Sequence, residues 1–260
     1  WIAPDKKVDL PKMEACMRDH YEGTPLSLDK DIAQGIWDSP YRPTPLKFEV
    51  DGKQYFNERP ISTQQTGFSY IAQLRSWLPR EIGGILWFGN DDGNMVAYVP
   101  IYCSNTERAE CFNTPGADAV TFSDKNAFWV CNWVSNMVYP RYSQLFPALK
   151  EVRDSLDNAF LAAQKGVEAK AEALYATDKA AAVKYLNDYS IQKSNEMITR
   201  WRELAIHLIV KFNDMTVKPE KDGKFLRTST GLGERVKRTG YNDYFKRELV
   251  KQTGDKYAVP

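Results

Sequence analysis

A chain of 260 residues with 43% hydrophobic and 27% charged residues has the composition of a globular protein that can bury a sizeable core. Its formal net charge of +1 argues against the strong field with which proteins bind nucleic acids or anionic membranes. No uninterrupted apolar run approaches the roughly 20 residues that span a bilayer. We therefore expect neither a nucleic-acid nor a membrane partner.

The four cysteines are scattered along the chain without a CxxC pair, and there are only two histidines. A zinc site is therefore not expected, and no other cofactor is indicated. Cys103 and Cys111 are close enough in sequence to be bridged in an oxidising compartment, but buried free thiols fit equally well. Seven tryptophans among 13% aromatic residues suggest an aromatic-lined cleft or an extensive interface.

Residues 9–22 are predicted to form a short helix, because Met13, Met17 and Tyr21 recur at helical spacing. Gly23 suits the position that follows a helix. A long irregular passage rich in proline comes next, and such a passage often covers a functional surface.

Alternating apolar residues on both sides of Asp51-Gly52 in "LKFEVDGKQYFNE" predict a β-hairpin with a type I′ turn. Three further strands are indicated by "GFSYIAQLRSWLP", "GGILWFGND" and "MVAYVPIYCS". Because the strands follow one another with short turns, we expect an antiparallel sheet.

The apolar period becomes helical at about Ser123, which is a plausible N-cap. Pro140 should bend or divide the first helix. Amphipathic helices are predicted near 166–176, 178–187 and 190–212. From Lys218 the chain is a polar tail with eleven Lys/Arg against six Asp/Glu and one last helix in "GYNDYFKRELVKQTG".

Strands followed by helices are typical of an α+β protein. We divide the chain into a sheet-containing portion at 1–122, a helical portion at 123–215 and a polar tail at 216–260, all within one structural unit.

The segment "MRDHYEGTP" concentrates polar groups at the end of the first predicted helix. Cys16 and His20 stand at i and i+4, so on a helix they would share a face, as a thiolate and an imidazole do in a nucleophilic pair. A buried small hydrophobe is the simpler interpretation of Cys16. His20, Glu22 and Thr24 either contact a ligand at the helix end or form caps and local salt bridges.

The segment "NERPISTQQTGFSYIAQLRSWLP" is rich in uncharged hydrogen-bonding groups. On a strand, Ser69, Gln73 and Arg75 would point to one side, where the guanidinium of Arg75 could bind a carboxylate through two hydrogen bonds. The alternative is an ordinary exposed sheet face.

Six stretches in the same order, "WIAPDKKV", "MRDHYEGTP", "NERPISTQQTGFSYIAQLRSWLP", "IGGILWFGNDD", "VPIYC" and "AFWVCNWVSN", resemble bacterial dipeptidases of the cysteine-type N-terminal-nucleophile hydrolase superfamily. The resemblance extends over essentially the whole chain. It implies hydrolysis of dipeptides and the four-layer αββα sandwich of that superfamily, of which this chain would supply the C-terminal half, an antiparallel sheet followed by a mainly helical layer.

The resemblance also implies that the mature enzyme begins with a cysteine, whose thiol attacks the amide carbonyl while its own α-amine serves as general base. This chain begins with Trp1, so the resemblance implies that no residue of this chain is the nucleophile, which lies upstream. We expect the chain alone to be inactive and to need the N-terminal half of the same protein as a partner.

The same resemblance implies that the substrate cleft is lined by Thr63 and Gln65 of "STQQT" and by Gln73 and Arg75 of "QLRSWLP". His20, Glu22 and Thr24 would border this cleft. Asn57 is the candidate oxyanion donor, since side-chain amides serve in that role elsewhere.

Two alternatives stay open: a related amidase that cleaves non-peptide amides, and a non-catalytic binding module. An exported location is compatible with such an enzyme, and a homo-oligomer is compatible with the expectation that the separated sheet exposes apolar surface or unpaired edges.

Overall fold

A computed structural model describes residues 3–260, so the prediction that concerns Trp1 lies outside the described residues. The helices are α1 (Leu10–Met17), α2 (Arg80–Gly83), α3 (Ala127–Val138), α4 (Tyr142–Tyr175), α5 (Lys179–Phe212) and α6 (Asp243–Thr253). The longer strands are β1 (Lys47–Val50), β2 (Lys53–Phe56), β3 (Phe68–Leu74), β4 (Gly84–Asn90) and β5 (Val99–Tyr102). The two-residue strands are β6 (Thr216–Val217), β7 (Glu220–Lys221), β8 (Lys224–Phe225) and β9 (Lys237–Arg238).

Helix α1 is shorter than predicted. The Asp9 carboxylate accepts a hydrogen bond of 3.0 Å from the backbone N of Lys12 and caps the start, but the helix ends at Met17. Tyr21 has a φ of 65°, which a right-handed helix cannot accommodate. The prediction that Cys16 and His20 share a helical face is therefore wrong, because His20 lies in the loop beyond the helix.

The β1–β2 hairpin is confirmed. Val50 pairs with Lys53, and the two turn residues Asp51 and Gly52 both have positive φ, as a type I′ turn requires. All eight strand residues are exposed, so these strands are not buried against the rest of the described chain.

The three strands predicted next form one antiparallel sheet in the order β3-β4-β5. On its inner face Ile71, Ile85, Trp87 and Tyr102 are buried in a core that runs from Leu10 to Phe212 and includes α3, α4 and α5.

On the outer face of the same sheet, Phe68, Tyr70 and Leu74 of the edge strand β3 are exposed, Leu74 by 76%. Leu86 and Phe88 of β4 are half-buried on this face. The described chain is thus a sheet with one helical layer, which confirms the α+β class.

Two long helices replace the three that the sequence predicts between 166 and 212. The segment 166–176 is the last part of the 34-residue α4, and the segments 178–187 and 190–212 form one 34-residue α5. Helix α5 continues through the polar residues Asn187 and Ser190, whose buried side chains accept hydrogen bonds from the backbone N of Glu107 and Tyr102. The N-cap of α3 is Asn126 rather than Ser123, and Pro140 lies in the short 3-10 turn Tyr139–Arg141 that separates α3 from α4.

The C-terminal tail consists of two small ribbons, β6–β9 and β7–β8, followed by α6. The side chain of Asn242 caps α6 and also donates to the backbone oxygen of Gly35 at 3.0 Å and to Asp38 Oδ1 at 2.8 Å. The tail is therefore fastened to the N-terminal loops. Within residues 3–260, no helix combines the length and apolar character needed to cross a lipid bilayer.

Candidate functional site

A buried polar cluster lies at the C-terminal end of β4, where the chain reads Asp91-Asp92. The Asp92 carboxylate accepts hydrogen bonds from the Tyr41 hydroxyl at 2.6 Å, from the backbone N of Asn94 at 3.2 Å and from the Ser62 hydroxyl. Tyr139 donates a longer bond of 3.4 Å to it. Asp92 thereby holds together the proline-rich N-terminal passage, the loop that precedes β3 and the end of α3.

Asn94 extends the cluster toward α4. Its Nδ2 donates to the Tyr142 hydroxyl at 3.1 Å, and its Oδ1 accepts from Arg153 Nη1 at 2.8 Å. Arg153 is almost fully buried, and burial lowers the pKa of its guanidinium, with the nearby charge of Arg18 acting in the same direction. The Asp154 carboxylate at 2.8 Å balances the charge, and the backbone and side-chain oxygens of Asn94 accept hydrogen bonds from Nη1.

Asp91 occupies the other side of the same turn. Its Oδ2 accepts from the Ser135 hydroxyl and from Asn132 Nδ2 at 3.3 Å, both on α3, while its buried Oδ1 has no hydrogen-bond partner within residues 3–260. Burial raises the pKa of Asp91 to about 6, because desolvation outweighs the hydrogen bond from Ser135. Asp91 also has a φ of 79°, unusual for a residue other than glycine.

His20 is fully buried beside this cluster. Its Nδ1 lies 3.0 Å from Glu22 Oε1, its backbone N donates to Glu22 Oε2 at 2.8 Å, and its ring meets Tyr41 edge-on with centroids 4.8 Å apart. Burial disfavours the Glu22 carboxylate, but the hydrogen bonds from His20 outweigh it and hold the pKa of Glu22 at about 2. The local contact between these two side chains is thus present as a hydrogen bond.

The substrate-site residues predicted around His20 lie close to those predicted in the loop before β3. The backbone N of Ser62 donates to the Asp19 oxygen at 3.1 Å, which places the loop with Thr63 and Gln65 beside His20. Thr63 is buried and its hydroxyl donates to Gln65, whose own side chain is exposed.

The remaining predicted residues in this region have structural contacts of their own. The Thr24 hydroxyl donates to the Tyr21 backbone oxygen at 2.7 Å. Asn57 follows β2 at the open end of the hairpin and is half-buried. Its backbone N donates to the Leu46 oxygen at 3.0 Å.

Gln73 and Arg75 lie apart from that group, at the opposite end of β3 and on the side of the sheet that faces α4. Gln73 Oε1 accepts from Trp87 Nε1 at 3.1 Å and from Gln164 Nε2 at 2.9 Å. Arg75 forms an ion pair with Glu168 in which both side chains are largely buried. The carboxylate that Arg75 binds in this structure is therefore a residue of α4.

All four cysteines are free thiols, so Cys103 and Cys111 are not bridged here. Cys16 and Cys103 are exposed, whereas Cys111 and Cys131 are buried, and burial raises the pKa of Cys111 to about 11 and that of Cys131 well above its usual range. Within residues 3–260, no three His, Cys, Asp or Glu side chains are grouped as a metal site would require.

Sequence reasoning did not identify Tyr41, Asp91, Asp92 or Tyr142 as members of a cluster. The available signal was the Asp91-Asp92 pair directly after a buried strand, a position at which acidic side chains are exceptional unless they have partners. Tyr41 carried no comparable signal because its partner is 51 residues away.

Comparison with known proteins gives two results. A family model described as Peptidase family C69 matches residues 1–155, which include β1 to β5, α3 and the buried cluster. A curated protein described as "Probable dipeptidase B", from Streptococcus pyogenes serotype M1, is 22% identical over 205 residues, or 79% of this chain. The chain matches 39% of the length of that relative.

Proposed function

Since this chain belongs to peptidase family C69, we propose that the intact protein is a dipeptidase that hydrolyses the amide bond of dipeptides. The observation that carries the proposal is the family match over residues 1–155, which covers the sheet and the polar cluster at its end. The similarity to a protein described as a probable dipeptidase supports the substrate class.

We further propose that the nucleophile is the thiol of an N-terminal cysteine outside these 260 residues. The thiol would attack the amide carbonyl, and the free α-amine of the same residue, with a pKa of roughly 7.7–8.0, would accept the thiol proton and return it to the leaving amine. The burial and raised pKa of Cys111 and Cys131 support this assignment, because a nucleophile needs an accessible thiolate. The 260 residues alone would then be inactive.

We propose that the substrate is contacted by the loop residues beside the cluster, which are His20, Glu22, Thr24, Thr63 and Gln65. Asn57 is the candidate oxyanion donor. Glu22 is the charged member of this group, and its side chain is 54% exposed, so it can meet the α-ammonium of a dipeptide. Gln73 and Arg75 would reach a substrate only after leaving their partners on α4, which makes them the weaker candidates.

We also propose that the N-terminal half of the same protein covers the outer face of the sheet, to complete an αββα sandwich. The exposed side chains of Phe68, Tyr70 and Leu74 support this, since apolar patches of this kind mark contact surfaces. A homo-oligomer in which a second copy covers the same face is the competing arrangement.

Assays of the intact protein against a dipeptide panel and against acylated amines test the proposal. Turnover of dipeptides is expected, and turnover of acylated amines alone would identify a related amidase instead. No turnover of either, together with an upstream coding sequence that lacks a cysteine able to become the first residue, would leave a binding module. In a Cys16→Ser/Cys103→Ser variant, a thiol reagent should still abolish activity if the nucleophile lies outside this chain.

A further inference from the structure

A small aromatic pocket lies on the surface of α3, next to the buried cluster but not part of it. Its cavity of about 250 Å³ is lined by Phe122, Trp129, Asn132, Trp133 and Asn136. The four α3 residues are spaced i, i+3, i+4 and i+7, so their side chains share one face of the helix. The Phe122 ring comes from the preceding loop and lies 5.8 Å from the ring of Trp129 and 6.2 Å from that of Trp133.

The loop that carries Phe122 is fastened to α3. Trp129 Nε1 donates a hydrogen bond of 2.8 Å to the backbone oxygen of Asp118, and Asp118 pairs with Thr121 in a short antiparallel bridge. The pocket is therefore already formed before any ligand arrives, and binding would not need to order the loop.

Two amides connect the pocket to the end of β4. Asn136 Nδ2 donates to Asn132 Oδ1 at 3.1 Å, and Asn132 Nδ2 donates to Asp91 Oδ2 at 3.3 Å. Asp91 precedes Asp92, the centre of the candidate site, so the aromatic pocket and that site are separated by one layer of side chains. No charged side chain is among the residues that line the pocket.

We propose that this pocket binds one bulky apolar side chain of the dipeptide and so sets the specificity of the enzyme, an inference that rests on the proposed dipeptidase function. The volume is below the roughly 300–1,000 Å³ that whole drug-sized ligands occupy, so it fits one side chain rather than an entire dipeptide. Three aromatic rings offer a large apolar contact area. A charged side chain would lose its hydration there without gaining a partner.

Replacement of Phe122 by Ala in the intact protein tests the proposal, because Phe122 is 56% exposed and its loss removes one wall of the pocket. The specificity constant kcat/KM should be compared for dipeptides that carry Leu or Phe at either position and for those built from Ala and Gly. One apolar contact discriminates substrates by roughly 10- to 200-fold, so we expect a loss of at least about 10-fold for the bulky dipeptides. Dipeptides of Ala and Gly should change by less than about 2-fold.

Val120→Ala is the matched control, since Val120 belongs to the same loop, is 92% exposed and does not line the pocket. This variant should cleave all the dipeptides as the unaltered protein does. If Phe122→Ala lowers kcat/KM equally for every dipeptide, or for none, the assigned pocket is wrong while the dipeptidase function stands.

A binding measurement separates failure of the pocket from failure of the proposed function. Leucine amide and glycine amide are titrated into the intact protein while tryptophan fluorescence is recorded. A response to leucine amide alone, lost in Phe122→Ala, supports the pocket even if no dipeptide is cleaved. The same response in both proteins, or no response to either amide, overturns it.

Discussion

The Tyr41 hydroxyl donates a hydrogen bond of 2.6 Å to the Asp92 carboxylate, although neither residue has appreciable contact with solvent. Burial raises the pKa of Tyr41 well above its usual range, and the nearby Asp92 charge raises it further, so the phenol stays protonated and remains a donor. This bond connects the irregular N-terminal passage to the end of the central strand of the sheet.

Tyr41→Phe should therefore destabilise the intact protein by about 1–3 kcal/mol, the cost of leaving a buried acceptor without one of its donors. Denaturant unfolding measures this change. Tyr55→Phe is the control, because Tyr55 lies on the exposed hairpin and its hydroxyl has no comparable role. Equal stabilities of the two variants would show that the bond to Asp92 contributes nothing.

Asp91 should make stability depend on pH. Its pKa of about 6 in the folded protein exceeds the ordinary value of 3.8, because burial disfavours the carboxylate, so the folded state binds the proton more tightly than the unfolded state does. The stabilising contribution is complete below about pH 4 and is lost as the pH rises to about 6. The difference is on the order of 3 kcal/mol.

Asp91→Asn should flatten the measured curve of unfolding free energy between pH 4 and pH 7, and Asn also tolerates the positive φ at this position. Glu14, whose pKa burial raises to about 7, keeps part of the slope in this variant. Asp124→Asn, at an exposed aspartate, should leave the curve as it is. An unchanged curve for Asp91→Asn would mean that Asp91 is not desolvated.

Arg75 gives a direct test between a structural and a substrate-binding role. Because its ion pair with Glu168 is largely buried, Arg75→Ala should cost about 3–5 kcal/mol by leaving the glutamate without its partner. Arg80→Ala, at an exposed neighbour, should cost little. If Arg75→Ala instead raises KM for dipeptides while the unfolding free energy stays constant, the arginine binds substrate.

The outer face of the sheet can be tested in the intact protein through Leu74. If the N-terminal half covers this face, Leu74→Ala should destabilise the intact protein by about 2–5 kcal/mol, as truncation of a buried leucine does. The same change at Leu232, which is also exposed but lies in the C-terminal tail, should stay within about 0.5 kcal/mol. Equal and small effects at both sites would place the outer face in solvent.

The elements that sequence reasoning identified correctly are those specified by local patterns. The hairpin follows from the Asp51-Gly52 turn, and the sheet follows from alternating and continuous apolar runs. The lengths of α1 and α5 differ from the predicted lengths for non-local reasons. Arg18 ends α1 with its side chain hydrogen-bonded to the Gly93 oxygen at 3.0 Å, 75 residues away.

The candidate site is harder to predict for the same physical reason. The partners that join different elements within the cluster are separated by 30 to 59 residues, as for Ser62 with Asp92 and Arg153 with Asn94, so no local pattern records them. Sequence reasoning assigns Arg75 to a substrate carboxylate, because the sequence does not reveal that Glu168 reaches it from a helix 93 residues further on.

Asp91 and Asp92 are consecutive, yet their carboxylates bind different parts of the molecule. Asp91 is hydrogen-bonded to Ser135 on α3, whereas Asp92 binds Tyr41 and Ser62 in the loops that precede the sheet, with a longer bond of 3.4 Å from Tyr139 just beyond α3. The single peptide unit between them therefore joins the helix that carries the aromatic pocket to the loops beside His20, so a substitution that removes the partners of one carboxylate also disturbs the backbone that positions the other.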